Sequence, residues 1–171
     1  SFPIGIRNDY ALCSEISDDG SIITAGMYEK ELGGQFKYSM YLSKHNPDGS
    51  LDYSFGSGGV IKYHMGNENC RISGIHIQED EKIIAVGTFK DNNQYNLSIL
   101  KFNSDGTFDN SFGSGGIVTK QIVGSFGVSS MEIQSDGKIV ISTTIENGSK
   151  FDFGLLRFNS DGSPDNSFGI N

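Results

Sequence analysis

A fourteen-residue stretch, NSDGTFDNSFGSGG from Asn103 to Gly116, is written three times in this chain. The first copy is NPDGSLDYSFGSGG, Asn46 to Gly59, and the last is NSDGSPDNSFG, Asn159 to Gly169. The copies open at Asn46, Asn103 and Asn159, 57 and 56 residues apart. A period this regular marks a repeat architecture, so any fold assigned to one third must serve the other two. Locally the motif is turn chemistry. Gly49, Gly106 and Gly162 accept a positive φ, and Asp48, Asp105 and Asp161 can hydrogen-bond the backbone two residues on. Asn46, Asn103 and Asn159 can do the same one step earlier. Phe55, Phe112 and Phe168 stand alone among Ser and Gly, so each is expected to anchor its loop to the core. A calcium loop is the competing reading. It needs Gly at its sixth position and Glu at its twelfth, and neither is in place, so the hydrogen-bonded turn is preferred and no metal is expected.

Between the copies the hydrophobic pattern has a period of two. RISGIHIQ, Arg71 to Gln78, sends Ile75 and Ile77 to one side and His76 and Gln78 to the other. Lys82 to Phe89 is a β-rich run covered on both faces, and Val60 to Met65 and Tyr95 to Phe102 complete four strands. The third repeat follows with Ile117 to Ile122, Val128 to Gln134, Lys138 to Ile145 and Phe151 to Phe158. The first offers Ile4 to Arg7, Ala11 to Ser17, Ser21 to Tyr28 and Lys37 to His45. No stretch holds a helical period. Equivalent positions agree: Ile16, Ile77 and Ile133; Ile22, Ile83 and Ile139; Leu42, Ile99 and Leu155. Lys44, Lys101 and Arg157 also coincide, either as ion-pair partners of Asp48, Asp105 and Asp161 or as solvated edge charges.

The motif N-x-D-G-[ST]-x-D-x-S-F-G, followed by Gly-Gly and a Val or Ile strand, resembles the delta-60 repeat of bacterial surface and secreted proteins. The turn at Gln134-Ser-Asp-Gly-Lys-Ile-Val is its companion motif. The resemblance covers nearly the whole chain and implies β-propeller blades; it implies little about activity. It departs from the pattern at the ends, where the last copy stops at Gly169 and the first repeat has no SFGSGG loop before it.

The expected fold is therefore all-β, with three tandem four-stranded antiparallel blades in a β-propeller-like arrangement. It is one repeat domain over 1–171, with approximate repeats at 1–53, 54–110 and 111–171. Three blades do not close a ring that usually has four to eight. Oligomerisation, with two or three protomers, or further repeats are expected to complete it; a prism-like packing is the other solution. Lacking an initial Met and a leader, the chain is expected to be part of a larger protein.

The net charge of −8 argues against nucleic-acid and anionic-membrane partners, which call for a basic patch. No apolar run is long enough to span a membrane. Cys13 shares its repeat position with Gly74 and Ser130, and reads as a small buried residue. Cys70 aligns with Phe126 instead, so no intrachain bridge is expected. His45, His64 and His76 hold three unrelated positions, and no nucleophile elbow, His-Glu-x-x-His or zinc-spaced cysteine pair occurs. Glu15 and Glu132 share a position with His76 and could line a channel or an open sheet face. No catalytic residue and no cofactor are assigned.

Function is expected where the repeats differ. The loops Glu29 to Phe36, Gly66 to Asn69, Asp91 to Gln94, Gly124 to Gly127 and Glu146 to Lys150 are not copies of one another. Tyr28, Tyr63, His64, Asn67, Asn69, Asn92, Gln94 and Tyr95 lie in or near them and are the candidate ligand-binding residues. Aromatic faces beside amides and acids suit sugars or peptide surfaces. The expectation is a non-catalytic recognition or adhesion module on a bacterial surface or secreted protein, binding a glycan or another cell-surface ligand. A structural, self-associating segment is the alternative, and a carbohydrate-active enzyme the less favoured one.

Overall fold

The computed structural model of the chain describes residues 4, 5, 7–122 and 125–169, with the side chains of 125, 126 and 147 excepted. Among these residues there is no helix. Eleven strands form three antiparallel sheets. The first has the order β1 (Asp9–Ile16), β2 (Ile22–Leu32), β3 (Gln35–His45), β4 (Val60–Tyr63). The second repeats it with β5 (Cys70–Ile77), β6 (Ile83–Asp91), β7 (Gln94–Phe102) and β8 (Ile117–Gln121). The third has β9 (Ser125–Ile133), β10 (Ile139–Asn147) and β11 (Lys150–Phe158). Each is a simple meander, the blade of a propeller, and the strand leading out of one corner motif closes the sheet it leaves.

The strand positions read from the pattern are largely those observed. Three expectations change. The strand after each corner closes the sheet before it instead of opening the next, so Val60–Tyr63 belongs to the first sheet and Ile117–Gln121 to the second, and the third sheet has three described strands rather than the expected four. The lead strand at Ile4 to Arg7 is not one: Ile4, Gly5 and Arg7 lie outside any strand, and Ile6 lies outside the described residues. Gly124 to Gly127 is not wholly a loop, because β9 already begins at Ser125; Gly124 itself is outside the described residues.

The blades stack face to face, and two cores fill the joints. On the first, Ile23, Ala25, Met40, Leu42 and Phe55 of one blade meet Cys70, Ile72, Ile83, Ala85, Leu100 and Phe102 of the next. On the second, Ile84, Val86, Leu97, Ile99 and Phe112 meet Val128, Ile139, Ile141 and Phe158. Ile23, Ala25, Met40, Leu42 and Phe55 correspond to Ile84, Val86, Leu97, Ile99 and Phe112, and Ile72, Ile83, Ala85 and Phe102 to Val128, Ile139, Ile141 and Phe158. This follows from the period-two rule: on β6, Ile83 and Ala85 face back while Ile84 and Val86 face forward, so the middle blade is apolar on both sides. Each fully buried aliphatic side chain here contributes about 1.5–3 kcal/mol. β5 packs against β1 on one side and β9 on the other. Among the described residues no strand of the first sheet packs on the third, and the ring is open.

Candidate functional site

The repeated motif builds one end of the molecule. Asp48, Asp105 and Asp161 each accept from the backbone N–H and hydroxyl of the residue two on: Ser50 at 2.9 and 2.6 Å, Thr107 at 2.8 and 2.7 Å, Ser163 at 2.8 and 2.7 Å. Asp52, Asp109 and Asp165 repeat the device with Ser54, Ser111 and Ser167. Asn46, Asn103 and Asn159 instead donate to the hydroxyl four residues on. The carboxylates are committed to turns, and among the described residues no group of three or more His, Cys, Asp or Glu is placed to hold a metal.

The recurring basic residue does form ion pairs, but with the second Asp of the motif rather than the first. Lys44 lies 3.9 Å from Asp52, Lys101 3.9 Å from Asp109 and Arg157 2.8 Å from Asp165. The reason is register. Asp52, Asp109 and Asp165 each donate a backbone N–H to the carbonyl of that same Lys or Arg, which brings the side chains together. Lys82 adds a 3.0 Å contact to Asp109. The Ser111 hydroxyl and then Lys82 hold the Asp109 carboxyl at about 2. Ser167 and then Arg157 hold Asp165 well below the usual range.

Phe55 and Phe112 are the anchors expected of them, at 0% and 1% exposure. Each ring lies under the Asp-Gly turn of the following repeat. A methyl on Gly106 would meet Phe55 Cε2 at 3.1 Å, and one on Gly162 would meet Phe112 Cζ at 2.9 Å. Gly56 N donates to Asp105 O at 2.8 Å and Gly113 N to Asp161 O at 2.9 Å. Glycine is needed at both corners for φ near +86 and for this approach. Phe168 has no such roof and is only half-buried, with the Arg157 guanidinium 4.3 Å from its ring centre.

The opposite end holds the segments that differ between repeats. Glu29 to Phe36 is a continued hairpin turning on Gly33 and Gly34, at φ 59 and 77. Asp91 to Gln94 turns on Asn92 and Asn93, at φ 47 and 64. Both are two-residue turns with positive φ throughout, the kind that suits the twist of a hairpin.

Asn67 and Asn92 come together here, and their side chains are spent on one another and on Asp91. Asn67 Nδ2 donates to Asn92 Oδ1 and Asn92 N to Asn67 Oδ1, both at 3.1 Å. Asn69 Oδ1 accepts from Tyr38 N at 2.9 Å, clasping the first blade to the second. Gln94 accepts from Gln121 Nε2 at 2.6 Å. Tyr28 is not on a ligand surface: it is 5% exposed, packed with Ile4 and Tyr41, because β2 turns it inward. Tyr63 is half-buried and packs edge-on to Phe108, 5.2 Å between ring centres.

His64 Nδ1 lies 2.9 Å from Ser39 Oγ and 3.6 Å from the Cys70 thiol. Burial pushes the Cys70 pKa up and the His64 pKa down. Both directions favour the neutral pair over thiolate and imidazolium, the reverse of an activated nucleophile. Cys13 and Cys70 are both free thiols. Glu15 and His76 do meet, at 3.2 Å, while Glu15 Oε2 accepts from Ile77 N, so the pair joins the first two blades.

An open groove of about 280 Å³ lies at this end, between the first two blades. Met27, Tyr38, Asn69, Cys70, Arg71, Thr88, Phe89 and Tyr95 line it. Asn69 and Tyr95 were legible as candidates; Tyr38, Arg71 and Phe89 were not, because they sit inside strands whose tips only folding brings together. Tyr95 is 41% exposed. Among the described residues no ion pair or hydrogen bond engages the Arg71 side chain.

Two stretches, residues 78–112 and 134–168, match the family model described as "Domain of unknown function (DUF5122) beta-propeller". Together they cover less than half of the chain. Each runs from the turn before the second strand of a blade to the anchoring Phe of the corner. Comparison with curated proteins and with solved structures finds no match. The blades, the corner that joins them and the similarity of both stretches to that model support a β-propeller repeat family for this chain.

Proposed function

We propose that the chain is a non-catalytic recognition module of a surface or secreted protein, and that its ligand is an oligosaccharide with an acidic substituent, held in the groove between the first two blades. The observation that carries this is Arg71. Arg157 pairs with Asp165 and Arg7 lies over the Phe36 ring, whereas Arg71 stands in a groove of an acidic protein and no described residue pairs it. A guanidinium there suits a carboxylate held by two parallel hydrogen bonds. The rings of Tyr38, Phe89 and Tyr95 offer faces on which a sugar ring can lie, and Asn69 and Thr88 offer polar edges. The groove lies where two blades meet, and its walls are held by the Asn69–Tyr38 clasp rather than by a mobile loop.

Calorimetric titration with uronate-containing and neutral oligosaccharides of equal length tests this. Binding of the acidic sugar, weakened tenfold or more by Arg71→Ala and also weakened by Tyr95→Ala, supports the reading. Equal binding of both sugars, binding indifferent to Arg71→Ala, or no binding of either counts against it.

A further inference from the structure

The two joints between blades are built from one template, and the third blade carries the same forward half uncovered. Met40 and Leu42 on β3, and Leu97 and Ile99 on β7, are fully buried by the blade that follows. Their equivalents on β11 are Phe153 and Leu155, at 87% and 52% exposure. Phe55 and Phe112 are roofed by Gly106 and Gly162, whereas Phe168 is only half-buried. Large apolar side chains clustered on one face this way mark an interaction surface.

The matching rear half is present at the other end of the molecule. Asp48 and Gly49 form the same turn as the two roofing corners, with Gly49 at φ +83 and no neighbouring atom within 4 Å of an added methyl. Ile16 is 68% exposed, although its equivalents Ile77 and Ile133 both pack into joints. Thr24, Ser43 and His45 stand where later blades have Ala85, Leu100 and Phe102. They satisfy one another, Thr24 Oγ1 to Ser43 Oγ at 2.8 Å and Ser43 Oγ to His45 Nε2 at 3.1 Å, so covering them leaves both contacts in place.

We infer that a second copy of this chain covers the forward face of the third blade with the rear face of its first, head to tail, reproducing the internal joint. Phe168 then lies under Gly49 of the second copy, and Gly169 N donates to the carbonyl of its Asp48, as Gly113 N does to Asp161. Applied twice around a two-fold axis, the joint yields a closed six-bladed ring, within the usual four to eight; three copies would give nine.

The chain is measured by light scattering behind size exclusion. The expected mass is twice 18.5 kDa. Phe153→Asp and Ile16→Asp, both at exposed positions that leave the internal joints untouched, are each expected to halve it while circular dichroism stays unchanged. Mixed, the two variants retain one unaltered joint between them, so the doubled mass returns in part. A wild-type chain that is a single copy at every concentration overturns the inference and assigns the face to another stretch of polypeptide. An Ile16→Asp variant that still dimerises while Phe153→Asp does not, or a mixture that stays monomeric, overturns the head-to-tail arrangement in favour of like faces meeting.

Discussion

The corner motif presents one Phe in three settings, which makes its cost on removal a measure of the joint itself. Phe112→Ala removes a ring at 1% exposure, packed with Val118 and Phe158 and lying under Gly162. Loss of a buried Phe with incomplete collapse costs about 3–5 kcal/mol. Phe55→Ala, at 0% exposure under Gly106, belongs in the same range. Phe168→Ala removes the same side chain from a half-buried position where the Arg157 guanidinium lies 4.3 Å from the ring centre. With a surface cation–π contact and partial burial to lose, it costs about 1 kcal/mol. The comparison is made on the Phe153→Asp background, so that no second copy roofs Phe168. Urea unfolding followed by circular dichroism gives the midpoint and slope for each variant. Equal costs at Phe112 and Phe168, or a cost under about 1 kcal/mol at Phe112, would refute the claim that the roofing Gly of the next repeat makes the anchor. A matched pair checks the other side of the contact. On the same Phe153→Asp background Gly49→Ala costs only the left-handed backbone, about 1–2 kcal/mol, whereas Gly162→Ala adds a collision with the Phe112 ring and must cost more.

Acid stability follows from the corner carboxylates. Asp109 is held at about 2 by Ser111 and Lys82, below its unfolded value of 3.8, so the unfolded chain takes up its proton first as the pH falls. Its stabilisation is whole above about pH 4–5 and drains away toward pH 2; melting curves across that window should show a shallower acid limb for Asp109→Asn. Glu81 occupies a left-handed turn position, φ 62, where the other two repeats have Gly20 and Gly137; Glu81→Gly should raise the urea midpoint by an amount equivalent to about 1 kcal/mol. Burial, and then Glu15, push the Cys13 pKa up to about 11, so native Cys13 should react with a thiol reagent at pH 8 about 100-fold more slowly than in denaturant.

The sequence by itself determined the repeat, the strands and the role of the corner. Asp-Gly chemistry and period-two alternation are local properties, and three agreeing copies of each left few alternatives. It also placed the differing segments at one end, since strands that reverse direction divide their connections between two faces. What it did not determine was which atoms meet. Lys44, Lys101 and Arg157 pair with Asp52, Asp109 and Asp165 through a backbone bridge that no spacing displays. Asn67 and Asn92 read as free amides until the two hairpins closed on one another. Tyr28 read as a strand-end aromatic beside the loop from Glu29 until the first hairpin proved to continue as strand past it, which fixed that side chain inward. Arg71, Tyr38 and Phe89 became a groove only when two blades were set side by side, because the distance between residues remote in sequence is a property of packing.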